Sequence, residues 1–177
     1  MSEDTIAYRD ATAADAALLA RLHTLSWRAT YRGLLPDRYL DEELDDERAG
    51  FWGRRMSEQG GTPRFVLIAE SEGAPVGFVC ALREGAPGTG VLVDNLHVLP
   101  SFQRRGVAKR LLHEAAAWGR ALGERTMALH VIEGNRPAVA FYEHTGWRRV
   151  GASEEQVGGA RVTALHYACD IEAVGAG

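Results

Sequence analysis

Lysine is almost missing from this 177-residue chain: Lys109 is the only one, and the other 19 basic residues are arginine. Cysteine is nearly as scarce. Cys80 and Cys169 stand far apart in apolar stretches, with no CxxC pair and no cysteine–histidine cluster at metal-binding spacing, which excludes a disulfide framework or a zinc knuckle. The six histidines lack metal-ligand spacing as well, so no metal is expected. No strictly apolar run exceeds five residues, as at 65–69, whereas a membrane span needs about 20. The first residues, MSEDTIAYRD, carry acids where a secretory signal needs a basic start and an apolar core, so the expectation is a cytoplasmic protein. Nor is there an excess of positive charge. Twenty basic against 24 acidic residues give a net of -4 and a pI near 5.9, which argues against partners such as nucleic acid or an anionic membrane.

What is present fits one globular domain over 1–177, with a core at about 5–170 and a short Gly/Ala-rich tail. Hydrophobic residues make up 46% and charged residues 25%, close to soluble averages. A strand is expected at 5–9. Thr12 and Asp15 then form a helix-start signal, and Ala16, Leu19, Ala20, His23 and Trp27 recur at helical spacing. A second helix is expected at 36–56, with an acidic exposed side. Two β-rich runs, RFVLIAES and PVGFVCALR, flank a Glu-Gly-Ala-Pro turn, and a Gly/Pro loop at 85–90 leads to a third, VLVDNLHVL. A helix follows with Val107, Leu111, Leu112, Ala115 and Trp118 on one face and Gly123 as its stop. The remainder reads as a strand at 126–132, a helix at 136–144, a strand near Arg148 and another at 161–170. The order β, α, α, βββ, α, β, α, ββ predicts an α+β (mixed α/β) fold, with helices covering a largely antiparallel sheet.

The segment from Leu96 to Ala108 carries the most chemistry. A strand gives way at Pro100 to a loop that opens a helix, where the first backbone N–H groups lack helical partners and the dipole is positive. That is an anion site suited to phosphate. Gly106 and Ala108 let a ligand approach the backbone, and Arg104, Arg105, Lys109 and Arg110 add four positive charges. No GxxxxGK[ST] is present, and Gly88-Thr89-Gly90 lacks the third glycine of a dinucleotide fingerprint.

Gln103-Arg104-Arg105-Gly106-Val107-Ala108 resembles the Q/R-x-x-G-x-G/A signature of the GCN5-related N-acetyltransferases. The stretch Asn135 to Trp147, with Ala138 and Phe141-Tyr142-Glu143, is similar to that family's N…A…FYE…GF segment, and the order of elements resembles its fold of about seven strands and four helices across nearly the whole chain. The resemblance implies acetyl-CoA as cosubstrate. Leu96, His97 and Val98 would offer main-chain groups to the acetyl and pantetheine portion, the loop from Arg104 to Lys109 would wrap the pyrophosphate with Gln103 also at the cofactor, and Asn135 would bond the pantetheine arm. Asn135 also suits a helix cap. Tyr142 would stand near the thioester sulfur as proton donor.

The implied reaction is direct attack of an amine on the acetyl carbonyl, without a covalent enzyme intermediate. For the general base, the resemblance points to the strand preceding the asparagine. Where relatives that acetylate protein N-termini often carry glutamate, this chain has His130; Asp94, Glu70 and a bound water are rivals. The stretch from Ser26 to Pro36 resembles a W..Y.G..P pattern on the family's acceptor side, and Trp27 and Tyr31 are one helical turn apart. Residues 37–47 hold seven acids and one arginine, which suits a small cationic amine. A peptide or protein amine, and a CoA-binding module without catalysis, are the competing expectations. Homodimers are common in the family, and no feature of this sequence sets the oligomeric state.

Overall fold

The structure is a computed structural model that describes residues 5–57, 61–85 and 88–174. In chain order the elements are β1 (Ile6–Asp10), α1 (Ala16–Tyr31), α2 (Leu44–Ser57), β2 (Arg64–Ser71), β3 (Ala74–Leu82), β4 (Val91–Val98), α3 (Val107–Ala121), β5 (Thr126–Ile132), α4 (Arg136–His144), β6 (Arg148–Val157) and β7 (Ala160–Asp170). The seven strands form one sheet in the order β1-β2-β3-β4-β5-β7-β6. All neighbours are antiparallel except β4 and β5. The α+β expectation therefore holds. Among the described residues, no helix is long and apolar enough to cross a membrane.

Local sequence explains most boundaries. Ahead of α1, the Thr12 N–H donates to Asp15 Oδ2 at 2.8 Å, and Arg9 clamps the same carboxylate. A π-helical turn at Tyr39–Glu43 feeds α2. The β2–β3 hairpin turns on Glu72 and Gly73, both at positive φ, so Ala74 and Pro75 belong to the strand rather than to the expected four-residue turn. Part of the 85–90 loop lies outside the described residues.

The sheet separates two apolar layers. Against one face, Leu111, Leu112 and Ala115 of α3 pack on Val91, Val93 and Leu129. Against the other, Leu19 and Leu22 of α1 and Trp52 of α2 pack on Ile68, Phe78 and Cys80. A third cluster joins Tyr31, Tyr39 and Leu40 to Val157 and Val162, tying the α1–α2 connection to the β6–β7 hairpin. The fit there is tight: a Cβ on Gly158, which sits at φ +56°, would run into the Tyr39 ring.

One irregularity positions the site. The β3–β4 register shifts between Cys80 and Ala81, so Asp94 is an extra residue in β4. Parallel pairing with β5 is confined to Val91–Val93 against Met127–Leu129. Beyond the bulge the two strands part. Residues 94–98 thus have no strand partner on their β5 side, and a cleft opens in mid-sheet.

Candidate active site

Two cavities meet in this cleft. One, of about 680 Å³, runs along the α3 side, and the other, of about 410 Å³, lies between α1, α2, β4, β5 and the β6–β7 hairpin. Thr30, Leu96, His97, Asn135, Ala138 and Tyr142 line both.

The α3-side cavity gathers the residues expected to hold the cofactor. Val98, Gln103, Arg104, Gly106, Val107, Ala108 and Lys109 line it together with the shared residues. Gln103 Nε2 donates to the Val98 carbonyl at 3.1 Å, which pins the loop to the end of β4. Arg104 and Gly106 sit at φ 60° and 78°, and this left-handed pair turns the chain so that α3 starts facing the cavity. Arg105 is not among the lining residues. Its guanidinium lies over the Phe102 ring at 5.0 Å. A Cβ on Gly106 would meet no protein atom within 4 Å. Gly106→Ala is therefore expected to lower folding stability by only about 1–2 kcal/mol through backbone strain. The same variant should raise the KM for acetyl-CoA by about tenfold, because the Cβ would intrude where an anion must approach the backbone. A melting curve and a cosubstrate titration separate the two effects.

The second cavity collects the expected acceptor-side residues and several others. Trp27 and Tyr31 line it, their rings 4.7 Å apart. Asn135 serves two structures at once: its Oδ1 caps α4 through the Ala138 N–H, and its Nδ2 donates to the Tyr31 hydroxyl at 3.3 Å. Tyr142, 8% exposed, packs edge-on against Phe141 and Trp147. Its hydroxyl makes no hydrogen bond among the described residues, and burial, followed by the nearby Tyr31, pushes its pKa far above the ordinary phenol value. The phenol therefore stays protonated at neutral pH.

Alternation alone leaves open whether Asp94 or His97 faces the cleft. The bulge turns both toward the α1–α2 side, and both line the second cavity. Asp94 Oδ2 accepts from Arg55 at 3.0 Å and from Asn95 at 2.9 Å. His97 Nδ1 contacts Ser26 Oγ at 3.1 Å, and its ring stacks on His23 at 4.5 Å. Burial and then the charge of Arg48 hold the His97 pKa down to about 3, and burial drives His23 lower still. Unfolded histidines titrate near 6.5. Between that pH and 3 the unfolded chain binds protons that the folded chain refuses, so both residues contribute stability above pH 6.5 that is lost as the solution is acidified. Melting temperatures are expected to fall steadily from pH 6.5 to pH 4; a flat profile would contradict the burial of this pair.

His130 also lines the second cavity. Burial and then His166, stacked on it at 4.0 Å, lower its pKa, so the ring is neutral at pH 7. Glu70 lies in neither cavity and is bound to Arg9 at 2.9 Å. The ligand atoms of His130, Glu155 and His166 lie within 4.8 Å of one another, a grouping across three strands that linear spacing conceals. The two rings are nearly parallel, at 16°, and Ser153 Oγ occupies His166 Nε2 at 2.9 Å. The two imidazoles therefore stack face to face.

Sequence reading missed His23, Arg48, Glu47 and Glu155 as cavity residues. His23 shares the helical stripe of Trp27 and Tyr31, the one signal that could have found it. The acidic run is mostly neutralised: six of its seven acids pair with Arg28, Arg32, Arg38 or Arg48, and of the seven only Glu47 lines the cavity.

A parting parallel pair with a helix start on one side and a second cavity on the other is the frame of an N-acetyltransferase. The chain belongs to the Acetyltransferase (GNAT) family, whose profile matches residues 19–147. It is 29% identical over 160 residues to the uncharacterized N-acetyltransferase YuaI of Bacillus subtilis, covering 89% of this chain and 88% of that one. Over 120 residues it is 30% identical to an aminoglycoside N(6')-acetyltransferase of Salmonella typhimurium, covering 64% and 77% respectively. In fold it is similar to the PaiA N-acetyltransferase of Thermoplasma acidophilum solved with coenzyme A, with a TM-score of 0.73 at 19% identity over 91% of this chain and 98% of that one.

Proposed function

We propose that the protein transfers the acetyl group of acetyl-CoA directly to the primary amine of a small molecule that arrives as a cation. The observation that carries this reading is the meeting of the two cavities at the unpartnered Tyr142 hydroxyl, with an anion-binding helix start in one and titratable groups in the other. In this reading the N–H groups at the start of α3, helped by Arg104 and Lys109, hold the pyrophosphate. The free β5-side edge of residues 94–98 and the Asn135 amide receive the pantetheine amides, as unpaired backbone groups require partners. The thioester then lies where the cavities join.

The protons remain to be placed. An alkylamine with a pKa near 10.4 is neutral in only about one molecule in 2,500 at pH 7, a handicap of roughly 4.6 kcal/mol. Asp94 and Glu155 draw the ammonium into the cavity, and neutral His130 takes its proton, directly or through water. The amine attacks the carbonyl carbon, the C–S bond breaks, and the departing thiolate takes the Tyr142 proton; the second proton that the nitrogen loses as the amide forms restores the phenol, and the one on His130 passes to solvent. The aminoglycoside acetyltransferase among the relatives supports a small-molecule acceptor.

The test is thiol release from acetyl-CoA by the purified protein on a panel of polyamines, aminoglycosides, amino acids and a short peptide, with mass spectrometry of the amine. Acetylated small amine is the expected product. Thiol release no faster than without acceptor would overturn the reading, and fastest turnover on the peptide would move the acceptor to a protein amine.

A further inference from the structure

Arg48 is out of place for a surface helix residue in an acidic run. Its side chain is only 11% exposed, lines the acceptor cavity and lies over the Trp27 ring at 4.2 Å. A guanidinium carries five N–H donors in a planar fork. Among the described residues Arg48 has one ion pair, Nη1 to Glu47 Oε1 at 3.0 Å, and that oxygen is shared with the Tyr39 hydroxyl. The Arg48 Nε is buried and has no hydrogen-bond partner. Burying a cation this poorly satisfied is destabilising unless something else occupies its donors.

A second donor stands close by. Trp52 Nε1, which can only donate, is 3.1 Å from His23 Nδ1, so that nitrogen accepts and the proton of the neutral ring sits on Nε2. His23 is 3% exposed, lines the same cavity, and its Nε2 has no partner among the described residues. Two fixed donors, one of them a full positive charge, thus serve one pocket that Asp94 and Glu155 also line.

We propose that Arg48 and the His23 Nε2–H form a carboxylate subsite, and that the acceptor is a small amino acid or similar amine that carries a carboxylate beside its reacting nitrogen. The inference rests on the amine-acetylation reading and changes its acceptor from a net cation to a zwitterion. A carboxylate matches the guanidinium fork with two parallel hydrogen bonds, which a lone hydroxyl or amide oxygen does not. The ammonium of the same molecule then faces Asp94, Glu155 and His130, so the cavity is polarised for a zwitterion rather than for a polycation.

The experiment is calorimetry on the CoA-saturated protein with each standard L-amino acid and its C-terminal amide, run on wild type, Arg48→Met and Arg48→Lys, with thiol release from acetyl-CoA measured in parallel. For the best amino acid, the wild type is expected to bind the acid at least about tenfold more tightly than the amide. In Arg48→Met that ratio should fall to near one, and Arg48→Lys, with charge but no fork, should lie between. CoA affinity in the same samples reports that the variants are folded. Equal binding of acid and amide in the wild type, no binding of any acid, or a ratio that survives Arg48→Met overturns the subsite. Arg48-dependent acid binding without thiol release supports the subsite and removes acetyl transfer instead.

Discussion

Tyr142→Phe is expected to lower kcat by about 10² to 10⁴ while leaving the KM for acetyl-CoA within about twofold, since a positioned proton donor is typically worth that much in rate. The substitution removes one oxygen and no packing. The Tyr142 ring touches Phe141, Trp147 and Tyr167, contacts that phenylalanine retains. A buried hydroxyl without a partner contributes little to folding, so the melting temperature should hold or rise slightly. Burial raises the phenol pKa, so the proton is present at every pH at which the enzyme is assayed. Thiol pKa values near 8.5 make the departing thiolate a fair leaving group by itself, which is why a residual rate is expected rather than none. Unchanged kcat at saturating substrate would remove Tyr142 from the acid role and leave it a core aromatic.

The second large effect concerns the base. His130→Gln is expected to reduce kcat/KM at pH 7 by about 10² and to abolish the acid limb of its pH profile. The sign follows from the environment. Burial and then His166 disfavour the imidazolium, so the folded pKa lies below the ordinary 6.5 and the ring stays ready to accept a proton through neutral pH. In the wild type kcat/KM should therefore be level above pH 6.5 and decline at a point below it. If His130→Gln keeps both the rate and the inflection, the base lies elsewhere, and Asp94→Asn becomes the decisive variant.

Much of the fold was legible because the relevant signals are local. The 126–132 strand and the 136–144 helix were readable to the residue, the latter from Asn135-Arg136-Pro137 at its start and Gly146 past its end. The anion-binding loop was equally plain, since an N-terminal helix site is written in consecutive residues. β6 was seen only at its first residue, although it runs over ten. It is a sheet edge, mostly exposed on both faces, so Ser153, Glu154, Glu155 and Gln156 carry no alternation to read. The bulge at Asp94 was also invisible, because it exists only in the register against β3, and with it the answer to which of Asp94 and His97 faces the cleft. Tertiary partners likewise decided the acidic run. Its charges suit a cationic amine in the sequence, but in the fold Arg28, Arg32 and Arg38 meet them. Directly after that run the buried charge is Arg48, which no periodicity distinguishes from a surface arginine.

The central claim is that both substrates are bound together, one in each cavity, and that the acetyl group passes between them without resting on the protein. Initial rates with acetyl-CoA and the amine varied against each other test this most directly. Lines that intersect in the double-reciprocal plot are the predicted result, because a ternary complex must form before thiol is released. Parallel lines, with free CoA released from acetyl-CoA in the absence of amine and an acetylated protein detected by mass spectrometry, would contradict the account.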